Sequence, residues 1–330
     1  MLKACALILL TFLSGNALIA VARRPISTSP LPLVANDNNA QCEQPTEHFI
    51  NIDNTRVRYV EAGTGPVVVM IHGNAGSVDD FDFKSLGLLC LAHRVIAVDR
   101  PGHGKSDRPD GSAATLQYQT RLLYQTLLHL GISRPTLVGH SWGGALALAY
   151  AVEYPNDVSA IVLLAPAAYA DNNENQFLRA ILKTPVIGDV SLDVGRILFG
   201  KQILKKELKR AFYPDAVPDE YLRYASSLWL HHSQLRAYFE DEFSLNKDLE
   251  KISKHYPDIR IPVVIVTGDH DKVVSAKHNA YHLNSSISQS KLVELKNTGH
   301  QVPQTHPESI YNALTLISNS SALGRPSVLR

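Results

Sequence analysis

Val138-Gly139-His140-Ser141-Trp142-Gly143-Gly144 is the stretch on which the reading of this chain turns. The apolar run Thr136–Val138 in front of it suits a short strand buried on both faces. Gly143–Glu153 behind it is alanine- and leucine-rich and reads as a helix. A G-x-S-x-G between a strand and a helix places the serine on a sharp turn, where its neighbours must be small. Gly139 and Gly143 provide that room, and the turn lifts the Ser141 hydroxyl above the strand ends. The helix that follows aims its free N–H groups and positive dipole end at the same place, a setting suited to developing negative charge.

Outward from this turn, strand-like and helix-like segments alternate, which predicts a mostly parallel sheet covered by helices on both faces. His48–Ile52 and Thr55–Glu61 flank Asp53-Asn54 and read as an opening antiparallel hairpin. Val67–Ile71, Arg94–Val98, Val158–Leu164, Val263–Val266 and Leu292–Leu295 are further strand candidates, and Leu116–Leu130 and Pro307–Ser318 further helices. The rhythm fails between Ala165 and Arg260, a stretch of about 95 residues with helical patterns, many aromatic residues and no convincing strand. A helical insertion accounts for it better than a loop of that length. Within it Lys201–Arg210 reads as an amphipathic helix with a solvated basic face, contact with a membrane surface or lipid being the alternative.

A serine hydroxyl needs a base, and the base needs an orienting third group. On a strand–turn–helix serine of this kind the partners follow in the order serine, acid, histidine. Thr267-Gly268-Asp269-His270-Asp271 lies just past a strand, and Asp271 is the better acid because Asp269, nearest the turn glycine, is placed to shape the loop. Of 14 histidines, His300 in Asn297-Thr298-Gly299-His300 has the required order and the loop after the last strand. Two backbone N–H groups must meet the developing oxyanion. Trp142, next after the serine, supplies one, and Asn74 in His72-Gly73-Asn74-Ala75-Gly76 the other. Asp99-Arg100-Pro101-Gly102-His103-Gly104-Lys105-Ser106 is read as shaping the adjacent loop, without direct chemistry.

These four motifs in this order resemble the α/β-hydrolase superfamily with a helical cap, from about His48 to Ser318. The resemblance implies an α/β-hydrolase fold, Ser141 as nucleophile, His300 as acid–base catalyst, Asp271 as its orienting carboxylate, and Asn74 and Trp142 as oxyanion donors. It implies no cofactor and no metal. Haloalkane dehalogenases and epoxide hydrolases of the superfamily carry aspartate where Ser141 stands, so both chemistries are disfavoured. An uncharged or weakly polar carboxylic ester is the expected small-molecule substrate. Carbon–carbon or carbon–nitrogen bond hydrolysis and cofactor-free perhydrolysis are the alternatives on the same triad, and a non-catalytic ligand-binding member the alternative outside enzymes.

The 330 residues are 45% hydrophobic and 19% charged, room for one α/β domain with an insertion. Lys plus Arg number 32 against 31 acidic residues, so no basic surplus points to nucleic acid. Lys3, the apolar stretch Ala4–Ala22 and the triplet Ala20-Val21-Ala22 fit a signal peptide or membrane anchor over 1–22, hence an exported or envelope-anchored protein and possible membrane association through 1–22. Residues 23–46 read as a flexible tether, 47–167 and 258–318 as the core, 168–257 as the cap and 319–330 as a tail. No Cys/His cluster has zinc-site spacing. With Cys5 in the leading segment, Cys42 and Cys90 remain; the sequence does not say whether they meet, and the expectation is that they do not. Oligomeric state is not legible.

Overall fold

The computed structural model describes residues 42, 44–171, 176–184 and 186–323; the predicted signal or anchor segment, most of the tether and the last seven residues of the tail lie outside them. Eight strands form one sheet: β1 Thr46–Ile52, β2 Thr55–Ala62, β3 Val67–Ile71, β4 Arg94–Val98, β5 Thr136–His140, β6 Ala160–Leu164, β7 Val263–Gly268 and β8 Lys291–Leu295. Their order is β1-β2-β4-β3-β5-β6-β7-β8, with β1–β2 and β2–β4 antiparallel and every later pair parallel.

Alternate residues of the central strands feed two separate cores. Val69, Ile71 and Leu137 pack with Leu122, Leu123, Leu146 and Tyr150 on one face. Val68, Met70 and Val138 pack with Leu86, Leu89, Ile310 and Leu314 on the other. A sheet buried on both faces needs apolar residues at every position, hence continuous runs such as VVVMI and AIVLL. The covering helices are Leu116–His129 and Trp142–Glu153 on the first face, and Asp82–Leu89 and Glu308–Leu323 on the second. The last of these runs to Leu323, so the first residues of the predicted tail are helical.

The chain leaves β3 to one side, towards β4, and then returns to the other side of β3 as β5. This reversal opens a crevice at the carboxyl ends of β3 and β5, the place where open α/β sheets bind ligands. Between β6 and β7 come four α-helices, Gln176–Lys183, Ile187–Phe212, Asp219–Trp229 and His232–Ile252, and a short 3-10 helix, Ser253–Asp258, with no strand among the described residues. They bond to the loops that follow β3, β4 and β8, so the insertion sits over the carboxyl edge of the sheet.

The cysteine expectation is corrected. Cys42 and Cys90 form a disulfide, with Cα atoms 6.0 Å apart. The hairpin register explains it: Thr46 pairs with Glu61, so the chain just before β1 runs beside the residues just after β2. There Gly63 lies so close to the Cys90 carbonyl that a Cβ would sit 2.3 Å from that oxygen. Cys42 is thereby anchored at the end of what reads in sequence as a free tether.

Candidate active site

Ser141 follows β5 directly and has φ 53° and ψ −116°, a strained conformation for a residue with a side chain. Its N–H donates to Leu164 O at 2.9 Å, and its carbonyl accepts from Gly144 N and Ala167 N. The two glycines of the motif are required by contact. A Cβ on Gly139 would meet Gly143 O at 2.2 Å, and one on Gly143 would meet Ile71 O at the same distance. Strand, turn and helix therefore pass closer than any other residue permits.

Asp271 and His300 come together, with His300 Nδ1 2.7 Å from Asp271 Oδ2 and both side chains almost wholly buried. Asp271 Oδ1 accepts from Val273 N and Val274 N, which fixes the carboxylate. With Nδ1–H given to the carboxylate, Nε2 keeps its lone pair. Asp269 instead binds His270 Nδ1 and Thr298 N, tying the β7 and β8 loops together. Ser141 Oγ makes no hydrogen bond among the described residues, so the serine–histidine link is not closed to bonding distance.

The Trp142 N–H is the first of its helix and has no acceptor within it. Across from it, Gly73 packs against the serine, where an added Cβ would lie 3.2 Å from Ser141 Cβ. Asn74 follows, with its side chain turned to the insertion: Nδ2 donates to Tyr238 O at 3.1 Å and to Glu242 Oε1 at 2.7 Å. Neither the Asn74 nor the Trp142 N–H has a protein acceptor among the described residues. Glu242 keeps solvent-exposed surface, and the protein packed around it raises its carboxyl above the ordinary range.

Several supports of this site have roles that the sequence does not show. His140 lies beneath His300, its Nε2 2.9 Å from His300 O and the two ring centroids 4.8 Å apart. Burial first, then the neighbouring His300, push His140 down to about 3, so it stays neutral. The His300 and Gln301 N–H groups both donate to Ala211 O, at the end of the long inserted helix Ile187–Phe212. Arg100, in the motif assigned to loop shaping, is fully buried. It stacks 4.0 Å over the Trp142 ring and donates to Gly73 O and Asn74 Oδ1. Its charge is met by Asp241 of the helix His232–Ile252, 2.5 Å away, which also pairs with His103 and Arg108. Burial raises the Asp241 carboxyl, but the Arg100 charge, the His103 bond and Arg108 outweigh it and leave the group at about 2. A knot of charge thus joins the β3 loop, the β4 loop and the insertion.

The sequence profile of the alpha/beta hydrolase fold family matches residues 66–307. Among characterised relatives, the chain is 27% identical to the 2-hydroxy-6-oxo-6-(2'-aminophenyl)hexa-2,4-dienoic acid hydrolase of Metapseudomonas resinovorans, over 84% of this chain and 93% of the relative. It is 26% identical to a monoacylglycerol lipase of Homo sapiens, over 74% of this chain and 73% of the relative. It is also 27% identical to a dihydrolipoyllysine-residue acetyltransferase component of an acetoin cleaving system of Cupriavidus necator, over 74% of this chain, and there it spans only 62% of the relative's length. Among solved structures, an alpha/beta hydrolase fold protein from Burkholderia ambifaria superposes with a TM-score of 0.70 at 24% identity, covering 81% of this chain and 96% of that one.

Proposed function

This chain belongs to the α/β-hydrolase fold family, and we propose that within it the protein is a serine hydrolase that cleaves carboxylic esters through an acyl-enzyme. The observation that carries the reading is the buried Asp271–His300 pair, which engages His300 Nδ1 and leaves Nε2 to act in the same cluster of loops as a serine on a strained turn. In this reading His300 takes the Ser141 proton as the hydroxyl attacks the ester carbonyl. The resulting oxyanion rests on the Asn74 and Trp142 N–H groups, both free of protein acceptors. His300 then protonates the leaving alcohol, and water repeats the sequence to release the acid. A serine ester of an acid is readily hydrolysed, whereas a serine ether left by a haloalkane or an epoxide is not, so Ser141 favours acyl chemistry.

The similarity to a monoacylglycerol lipase supports an ester of low polarity as substrate. The similarity to a dienoic acid hydrolase supports carbon–carbon hydrolysis as the second reading. Export or anchoring at the cell envelope is part of the proposal, supported by the apolar stretch Ala4–Ala22 and by a disulfide, which persists in oxidising compartments. No described helix is long and apolar enough to cross a membrane.

A fluorophosphonate probe tests the mechanism. The expected result is one adduct on Ser141, with Ser141→Ala abolishing labelling and lowering turnover of a chromogenic short-chain ester by roughly a thousandfold or more. An unlabelled Ser141 in folded protein refutes it. A panel of esters, amides and vinylogous diketones separates the two readings.

A further inference from the structure

The two halves of the long inserted helix Ile187–Phe212 are used differently. One packs inward, where Leu204, Leu208 and Phe212 form a small core with Tyr221 and Ala225 of the next helix. The other carries Ile187, Val190, Val194 and Leu198, spaced i, i+3, i+7 and i+11, one stripe of an α-helix. These apolar side chains are 58%, 56%, 37% and 56% exposed, and Ile197 beside them 72%. The same stripe continues into Lys201, Lys205 and Lys209, all exposed. The acidic residues of the helix lie off it and are engaged elsewhere. Asp189 binds His232 and Arg236, Asp193 binds Arg196 and His232, and Glu207 pairs with Arg210.

We propose that this stripe is a membrane-contact face, which lays its apolar half into the headgroup region of a bilayer while its lysines meet anionic lipid. A contiguous exposed apolar row is uncommon on a monomer surface and marks an interaction site. The lysines choose the occupant. A second copy of the chain brings the same lysines to the patch with no acid among the stripe residues to meet them, whereas an anionic leaflet supplies the missing charge over the whole face. Low overall hydrophobicity with one apolar row and flanking lysines is the pattern of a helix lying in an interface rather than spanning it. Contact here is separate from any anchoring through residues 1–22 and from the chemistry at Ser141.

The test uses the full chain with Ile197→Trp as a reporter on the stripe, read against the unsubstituted protein, whose two native tryptophans provide the background. Vesicles of phosphatidylcholine with phosphatidylglycerol are expected to shift the added emission to the blue. Lipids brominated near the headgroup should quench it. Both effects should weaken in phosphatidylcholine alone and at high salt. Combining K201E, K205E and K209E should lower partitioning roughly tenfold or more, with the circular dichroism spectrum and melting curve unchanged as the folding control. Vesicle binding with no change at position 197 assigns attachment to the N-terminal segment and overturns the proposal. A blue shift that grows with protein concentration in the absence of lipid assigns the face to self-association and also overturns it.

Discussion

Replacing Asp241 by asparagine removes a single negative charge that neutralises two arginines and caps a histidine. Arg100 Nη1 lies 2.5 Å and Arg108 Nη2 3.0 Å from the carboxylate, and His103 Nε2 is 3.0 Å away. The Asp241 side chain is wholly buried and that of Arg100 all but so. In Asp241→Asn the amide NH₂ faces donors, and Arg100 is left as a buried charge with only neutral partners. Removing one member of a buried pair costs about 3–5 kcal/mol. About 2 kcal/mol of this follows from the carboxyl itself, whose titration falls from 3.8 to about 2 on folding. A group depressed in this way stabilises the fold above pH 4, and that stability is lost as pH falls through 2. Urea unfolding followed by tryptophan fluorescence should therefore show the full deficit at pH 7, and a narrowing gap between variant and wild type in acid. Arg100 also holds Gly73 O and Asn74 Oδ1, so turnover should fall along with stability. The double substitution Arg100→Met with Asp241→Leu removes the buried pair and leaves Arg108 on Glu240, so it should recover part of the stability, though not the turnover. An Asp241→Asn protein within about 1 kcal/mol of wild type at pH 7 would refute the reasoning.

Gly143→Ala forces a Cβ to within 2.2 Å of Ile71 O, so the end of β3 must move away from the serine turn. A loss of roughly 3 kcal/mol and of Ser141 labelling is expected, and a soluble variant with normal labelling would contradict it. Asp80 is enclosed and accepts from Tyr221 OH; burial raises its carboxyl from 3.8 to about 7. Between pH 4 and 7 the folded state keeps a proton that the unfolded chain has released, so stability declines across that window by about 4 kcal/mol on this account. Asp80→Asn should flatten that slope in urea titrations at pH 5 and 8, and an unchanged slope would remove Asp80 as its source. Substituting Cys42 and Cys90 by serine opens a cross-link of sequence separation 48. Loop entropy sets the cost at about 4 kcal/mol, and equal melting temperatures for the two proteins would show that the bond constrains nothing.

Local sterics made the serine turn legible. Two glycines around a serine, between a buried strand and a helix, reflect backbone contacts made within a few residues of one another. The sheet was legible for a similar reason, since burial on both faces writes itself as unbroken apolar runs. Asp271 and His300 were located by chain order and by the strands before them. Asp241 was not legible, because its charge is called for by Arg100, 141 residues earlier, and nothing near Asp241 distinguishes it from its acidic neighbours. The Cys42–Cys90 bond depended on the register of a hairpin, which fixes where the chain before β1 emerges. His140 was visible as part of the serine motif, but its place beneath His300 comes only when the β5 and β8 loops are brought side by side.

Ala211 O receives both the His300 and the Gln301 N–H, and Arg210 Nε reaches Lys272 O, next to Asp271. These contacts divide the insertion into regions with different freedom to vary. Around Ala211 a substitute backbone must present a carbonyl at the same point, or the histidine loop loses its footing. The outer row from Ile187 to Leu198 is under no such demand. A chimera that borrows its covering helices from a relative would therefore need to keep the native join at residues 210–213, and could exchange the turns before it. Selectivity and catalytic competence become separable engineering targets, with the boundary between them falling inside one helix.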